Sequence, residues 1–216
     1  MQPIRSAFSP PRFVFGMLFG LLLLLGPGCS WLTPLIFMGE HKERVPAEFD
    51  RLSGKTVAVV VWADQDVLFD YPFVRMELGL HIADRLWANV DNVEMVDGRK
   101  LEDYMQRRLA NAVDPIVIGK EFAAEMIVYV ELLDFQIRDP SSPDFLNPRI
   151  DASVVAYDLT VDPDEPRQYE LEPVEVERRG KLFNETSAQV ARKALYEEFA
   201  ETVARKFYDH EIEKLQ

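Results

Sequence analysis

The stretch Thr56–Trp62 reads TVAVVVW, and it decides the fold. A continuous run of β-branched and apolar residues is typical of a strand that is covered on both faces, because a strand with one wet face alternates apolar and polar side chains. Parallel sheets are covered in this way by the helices that connect their strands. The run therefore predicts a central strand of an α/β domain.

Helices and further strands are predicted directly after this strand. Four apolar residues recur at helical spacings between residues 73 and 90: Met76, Leu80, Ala83 and Trp87. This pattern predicts a helix that packs on the strand through that face. A short strand, a helix, a shorter helical segment and a buried strand are predicted next, at residues 93–96, 99–109, 115–124 and 126–134. The alternation predicts a βαβαβ arrangement.

The remaining sequence predicts a hairpin and a long helix. Residues 150–160 and 169–178 alternate polar and apolar side chains, as half-exposed strands do. The connection 161–167 contains two prolines and several acids, which favours a solvated loop. A helix is predicted over 187–213, with Asn184 and Ser187 available as caps. The fold class is therefore α/β, with a single mixed sheet in the order βαβα(α)βββα and helices packed on it.

The charge of the chain limits the classes of partner. Lysine and arginine total 24 against 37 for aspartate and glutamate, a net charge of -13 over 216 residues. Without a leader that contains Arg5 and Arg12, the balance is 22 minus 37, or -15. Such a chain repels phosphate backbones and anionic lipids, which argues against nucleic-acid binding. The sign of the charge favours solubility or a basic partner.

The N-terminus has the pattern of a secretory signal. Residues 1–12 contain two arginines and no acid, and residues 13–25 form the apolar run FVFGMLFGLLLLL. A helix over this run spans only about 20 Å, which is short of the roughly 30 Å hydrocarbon core. Small residues follow, and then Cys29, the only cysteine of the chain. The pattern predicts a signal peptide over residues 1–28.

Cys29 is the candidate lipidation site. The segment resembles a bacterial lipoprotein signal, in which the cysteine receives a lipid group and becomes the mature N-terminus. This implies anchoring to a membrane of the bacterial cell envelope, facing the periplasm, and Ser30 after the cysteine favours the outer membrane. Two alternatives stay open: an uncleaved anchor over residues 13–38 and an ordinary cleaved signal. Residues 29–53 are then a tether, and residues 54–216 are the α/β domain.

Three stretches resemble a group of envelope proteins: KTVAVVVW at 55–62, HIADRLWANVDNVEMVDGRKLEDYM at 81–105, and IGKEFAAEMIVYVELLD at 118–134. In this order they are similar to the small α/β domain shared by the curli-secretion protein CsgG, the penicillin-binding-protein activator LpoB and the N-terminal domain of TolB. The likeness covers roughly residues 54–213. It implies an envelope lipoprotein that works with other envelope proteins.

No motif of enzyme or cofactor chemistry is present in the sequence. The segment 53–56, SGKT, lacks the first glycine of a phosphate-binding loop, because that position is Phe49, and it precedes a strand. A turn before a strand is favoured there. Three histidines lie far apart in the sequence without metal-ligand spacing: His41, His81 and His210. We expect no catalytic residue, no metal site and no cofactor.

Two loops are the candidate binding surfaces. Residues 139–148, DPSSPDFLNP, form a predicted turn-rich loop in which Asp139, Phe145 and Asn147 are candidate partner contacts. Three acids follow the first strand and are candidate ligands for a cation or a small molecule: Asp64, Asp66 and Asp70.

These patterns favour a non-enzymatic, membrane-anchored lipoprotein that binds other envelope proteins as an accessory or assembly factor. The alternative is a sensor of a small ligand or cation, and the third hypothesis is an uncleaved, N-terminally anchored membrane protein of unknown activity. The oligomeric state is left open by the sequence.

Overall fold

The computed structural model describes residues 42–107, 114–139, 141–178, 181–182 and 184–213. The predicted signal, Cys29 and most of the tether lie outside these residues. The chain divides into a main unit, Arg44–Ile212, and a second unit made of Met1–Glu43 and Glu213–Gln216. Within the described residues, no helix is both long enough and apolar enough to cross a membrane.

The strands and helices are numbered in chain order. The strands are β1 (Lys42–Val45), β2 (Thr56–Trp62), β3 (Glu94–Met95), β4 (Met126–Asp139), β5 (Ser142–Asp158), β6 (Arg167–Glu177), β7 (Lys181–Leu182) and β8 (His210–Glu213). The helices are α1 (Gln65–Asp70), α2 (Val74–Asn89), α3 (Gly98–Arg107), α4 (Pro115–Glu121) and α5 (Glu185–Ala204), and a 3-10 turn, Arg205–Phe207, follows α5.

One mixed sheet organises the main unit. Its strand order is β3-β2-β4-β5-β6, and β7 pairs with β5. β2 is parallel to β3 and to β4, whereas β4, β5 and β6 are antiparallel to one another in turn. The predicted α/β fold with a mixed sheet and helices packed on it is confirmed. The short strands β1 and β8 form a separate two-stranded sheet.

Helices cover β2 on both faces, as its sequence predicts. Val57, Val59 and Val61 point into the main core, which also contains the apolar sides of α2 and α5. Ala58 and Val60 point into a smaller core beneath α3 and α4. Buried apolar surface on both faces of one strand explains why its sequence lacks a polar alternation.

Helix α2 buries a different side from the predicted one. Its buried apolar residues are Val74, Leu78, Ile82 and Leu86. The predicted residues Met76, Leu80 and Ala83 are only half-buried, and Trp87 is 70% exposed. The helix has two adjacent apolar stripes. The periodicity therefore predicts the helix, but packing against the sheet determines which of the two stripes is buried.

The C-terminal prediction of one helix to residue 213 is wrong beyond Ala204. The chain passes through the 3-10 turn into strand β8, so Ile212 lies on a strand. The Asp209 carboxylate holds this region against the start of the main unit, because it accepts hydrogen bonds from the backbone N–H of Ala47 and from Arg44. α5 begins at Glu185, two residues before the predicted start, and the predicted caps Asn184 and Ser187 form a reciprocal capping box.

Two predicted boundaries are also corrected by packing and pairing. Residues 49 and 52 of the predicted tether are core residues: Phe49 is 5% exposed and Leu52 is 0% exposed. The main unit therefore starts before residue 54.

The predicted loop 139–148 is mostly strand. β4 continues to Asp139 and β5 begins at Ser142, and the two strands stay paired through bulges.

Candidate functional site

Half of the sheet has one face that no described helix covers. The small core beneath α3 and α4 takes its strand residues from β2 and from the first part of β4. The same face of β5 and β6 stays open to solvent. We call this surface the open face and define it by Trp62, Tyr129, Glu131, Leu133, Asp134, Arg149, Asp151, Ser153, Val155, Tyr157, Glu170, Glu175 and Glu177.

The register of the strands places acids side by side on the open face. Asp134 on β4 lies opposite Asp151 on β5, which lies opposite Glu175 on β6. The alternate residues of β5, such as Ala152 and Val154, point into the main core. Because side chains alternate between the two faces of a strand, the acids project away from the core.

Bulges in two strand pairs shape the open face. The register shifts between Leu132 and Asp134 where β4 pairs with β5, and between Ala152 and Val154 where β5 pairs with β6. Leu133 is the extra residue of the first bulge and is 59% exposed. A bulge turns a side chain out of the regular alternation, so an apolar side chain stands among acids here.

A single arginine lies among the central acids. The Nη2 atom of Arg149 is 3.1 Å from Glu175 Oε1 and 4.0 Å from Asp151 Oδ2, and its Nε atom is 3.7 Å from Asp134 Oδ2. One positive charge shared by three carboxylates leaves this group with a net charge of -2. The side chains are partly exposed, so water and salt screen the pairs. The remaining negative charge is available to a cationic partner.

Two tyrosines stand at the end of the open face, where they are partly buried against the small core beneath α3 and α4. The rings of Tyr129 and Tyr157 have centroids 6.4 Å apart and meet edge to face. Burial, followed by the charge of Glu131 and the neighbouring Tyr157, raises the pKa of Tyr129 to about 12. Burial also raises the pKa of Tyr157, with further contributions from Asp114, Glu131 and Glu170. Both phenols therefore keep their protons at neutral pH and can donate hydrogen bonds.

The three predicted cation-binding acids are exposed and follow β2. Asp64 is the N-cap residue of α1, without a side-chain capping bond, Asp66 lies in the first turn of that helix, and Asp70 ends it. Among the described residues, no group of three or more histidine, cysteine, aspartate or glutamate side chains is arranged to hold a metal ion. The hypothesis of a cation at this loop gains no support from the geometry.

The predicted partner contacts lie beyond the open face. Asp139 ends β4, and its carboxylate accepts a hydrogen bond from the backbone N–H of Ser141. Phe145 is 48% exposed and Asn147 is half-buried, both on β5. Between them Leu146 is buried in the main core. The three residues are therefore brought to one end of the hairpin, not to a free loop.

The turn before β2 has the structure that the sequence favours. Gly54 has a φ of +69°, a conformation that glycine adopts readily. The Lys55 ammonium is engaged in an ion pair, with its Nζ atom 3.0 Å from Glu125 Oε1. Of the histidines within the described residues, His81 lies on α2 and His210 on β8.

The open face was missed by sequence reasoning because register brings its acids together. A signal was present: residues 169–178 alternate acids with apolar residues, and residues 150–160 alternate as well. Alternation shows that each strand has a polar face, but it does not show which strands are neighbours. The lateral pairing of β4, β5 and β6 creates the cluster.

Comparisons with known proteins give a likeness in fold. No protein-family model matches the chain, and no curated protein matches it. Among solved structures, the PelC dodecamer from Paraburkholderia phytofirmans is 8% identical, with a TM-score of 0.44, over 77% of this chain and 96% of that one. The hypothetical protein CT253 from Chlamydia trachomatis is 15% identical, with a TM-score of 0.40, over 69% and 95%.

A lipoprotein is also among the solved structures that are similar to this chain. Lipoprotein GNA1162 from Neisseria meningitidis is 14% identical, with a TM-score of 0.30, over 67% of this chain and 96% of that one. At these values the similarity to bacterial lipoproteins is one of fold alone. The resemblance to the group of CsgG, LpoB and TolB stays a prediction.

Proposed function

We propose that this chain is a membrane-anchored lipoprotein of the bacterial envelope that binds another protein through the open face. It acts as a non-enzymatic accessory or assembly factor. The observation that carries the proposal is the open face itself: a sheet surface that no helix of the described residues covers, with acids in register and apolar and aromatic side chains among them.

The composition of the open face favours a basic protein as the partner. Its acids Glu131, Glu170 and Glu177 add to the charge around Arg149, and the chain as a whole has a net charge of -13. Complementary charge accelerates association and excludes wrong partners. Trp62 and the two tyrosines offer aromatic surface that arginine and lysine side chains can cover. A partner surface that is basic and partly apolar fits both the negative charge and the aromatic side chains of the open face.

Anchoring through Cys29 would strengthen such a contact. Lipidation confines the domain to a thin layer at the membrane, so a weak contact is sufficient when the partner lies in the same layer. Metabolic labelling with a palmitate analogue tests the anchor. We expect label in the wild-type chain and none in Cys29→Ser. If the variant incorporates label, or the wild type does not, lipidation at Cys29 is rejected.

Site-specific cross-linking in the parent cell tests the open face. A photoreactive residue in place of Ser153, at the centre of the face, is expected to give a discrete adduct with a basic protein. The same residue in place of Asp103, which is exposed on α3, is the matched control and is expected to give none. Equal adducts from both positions, or an adduct from Asp103 alone, would contradict the proposal.

Charge removal gives a second measurement on the same adduct. The variant Glu131→Gln/Asp151→Asn/Glu175→Gln removes three charges from the open face, and we expect it to reduce the adduct from position 153 strongly. The control removes three exposed charges elsewhere: Asp91→Asn, Asp103→Asn and Glu121→Gln. An equal loss in both triple variants would show a general effect of net charge instead of a specific surface.

A further inference from the structure

A cleft of about 340 Å³ lies between α2 and α5, on the opposite side of the sheet from the open face. Each helix lines it with four residues at spacings i, i+3, i+4 and i+7, which share one helix face. These residues are Glu77, Leu80, His81 and Asp84 on α2, and Gln189, Arg192, Lys193 and Tyr196 on α5. The volume is in the range of pockets for small molecules.

The two walls of the cleft have opposite charge. The acids Glu77 and Asp84 belong to α2, and the cations Arg192 and Lys193 belong to α5. Within the described part of the chain, no ion pair crosses between these walls, and Lys193 instead pairs with Glu197 of its own helix at 3.7 Å. Arg192 is half-buried. Acidic and basic side chains therefore line the same cleft without an ion pair between its two walls.

Tyr196 adds a buried polar group to the cleft. Its side chain is 3% exposed, and its buried hydroxyl lies beside the Glu77 carboxylate without a hydrogen bond of normal length among the described residues. Its ring lies against His81, with centroids 6.2 Å apart. Burial, followed by the charge of Glu77, raises the pKa of Tyr196, so the hydroxyl keeps its proton. A buried hydroxyl without a well-formed hydrogen bond is unfavourable unless water or a ligand supplies an acceptor.

We infer that this cleft binds a small zwitterion. Its ammonium group lies against Glu77 and Asp84, and its anionic group lies against Arg192 and Lys193 and accepts a hydrogen bond from Tyr196. A ligand with one charge would satisfy one wall and leave the other unpaired. A free amino acid and the ethanolamine-phosphate headgroup of a lipid share this chemistry.

Titration calorimetry of the full chain in an uncharged detergent tests the ligand class. The probes are glycine, O-phosphoethanolamine, and micelles doped with phosphatidylethanolamine, and the controls with charge of only one sign are ethanolamine and inorganic phosphate. We expect at least one zwitterion to bind about tenfold more tightly than either control, because it engages both walls. Binding of the free compounds alone assigns a soluble ligand, and binding of the doped micelles alone assigns a lipid. Equal or absent binding of all probes would overturn the inference.

Variants of the cleft test the assigned contacts. Arg192→Met and Glu77→Gln are each expected to weaken zwitterion binding by about tenfold. Tyr196→Phe is expected to weaken it by several-fold, and the unfolding midpoint of the ligand-free variant shows that the chain still folds. Arg99→Met, an exposed cation on α3, is the control and should bind as the wild type does. Wild-type affinity in Arg192→Met and Glu77→Gln would exclude this cleft. Because the open face is not involved, its triple variant should keep the wild-type affinity.

Discussion

The Nζ atom of Lys206 lies 2.6 Å from the Oε1 atom of Glu48, although 158 residues separate the two in the chain. The other carboxylate oxygen of Glu48 accepts a hydrogen bond from the backbone N–H of Glu172 on β6. One carboxylate thus joins the start of the main unit to the 3-10 turn and to the edge of the sheet. Phe49, the next residue, packs against Tyr169 and Phe207.

Glu48→Met is expected to lower the free energy of unfolding by about 2 kcal/mol, because it leaves the nearly buried Lys206 ammonium unpaired. The figure is below that of a fully buried pair because Glu48 is partly exposed. Lys206→Met is the matched control and should cost less, since water still reaches the Glu48 carboxylate. Urea unfolding measures both variants. A larger loss in the lysine variant would contradict this account.

The ion pair between Arg75 on α2 and Glu102 on α3 is expected to behave as a unit. Their closest atoms are 2.7 Å apart and both side chains are buried. Glu102→Leu leaves a buried charge and should cost about 3–5 kcal/mol, whereas adding Arg75→Met should recover much of that loss. A double-mutant cycle measured by urea unfolding checks this. Additive losses would show that the two side chains are not coupled.

Two helical glycines are expected to respond in opposite ways to alanine. A Cβ atom at Gly119 would lie 2.6 Å from Ile127 Cδ1, so Gly119→Ala should cost about 1–3 kcal/mol. At Gly79 the nearest atom, Val61 Cγ2, would be at 3.7 Å, which is an ordinary contact. Gly79→Ala should therefore stabilise by up to about 1 kcal/mol through helix propensity. Thermal unfolding of both variants measures the two stability changes. Equal changes would contradict the packing argument.

Glu125 is expected to contribute a pH-dependent part of the stability. Hydrogen bonds from Lys55 and from the backbone of Thr56 hold the pKa of Glu125 below its ordinary value of 4.5. Because the pKa is lower in the folded state, this contribution is present above pH 4.5 and is lost as the pH falls through the folded pKa. Glu125→Gln removes it.

The measurement is the unfolding free energy from neutral to acid pH. The difference between wild type and Glu125→Gln should be largest near neutral pH and should shrink as Glu125 becomes protonated in both states. Glu121→Gln removes an exposed charge nearby and serves as the control. A difference that stays constant with pH would show that the ionised form of Glu125 has no special stabilising role.

The sequence predicted the type and order of the helices and strands better than it predicted which of their side chains are buried and where they end. The TVAVVVW strand, the helices that follow it and the hairpin of β5 and β6 were all recognisable, because periodicity and turn chemistry are local properties. The buried side of α2 was misjudged because two of its stripes are apolar. The C-terminal helix was predicted too long because the contacts of Asp209 with Arg44 and Ala47 are long-range and leave no local signal.

The candidate sites depend still more on tertiary structure. Residues 150–160 and 169–178 showed polar alternation, but only the register of the strands brings Asp134, Asp151 and Glu175 into one row. The cleft between α2 and α5 combines residues more than 100 positions apart, such as Glu77 and Tyr196. Neither site has a motif, because each is formed by the packing of separate segments.

By itself, the sequence determined the α/β class, the central strand, the acidic charge and the candidate lipid anchor at Cys29. These follow from composition and short-range pattern, which act along the chain. Only the tertiary structure decided which helix stripe is buried, where the main unit begins and which polar groups share a surface. Those choices arise from packing between distant segments, where burial and strand register select among options that are locally equivalent.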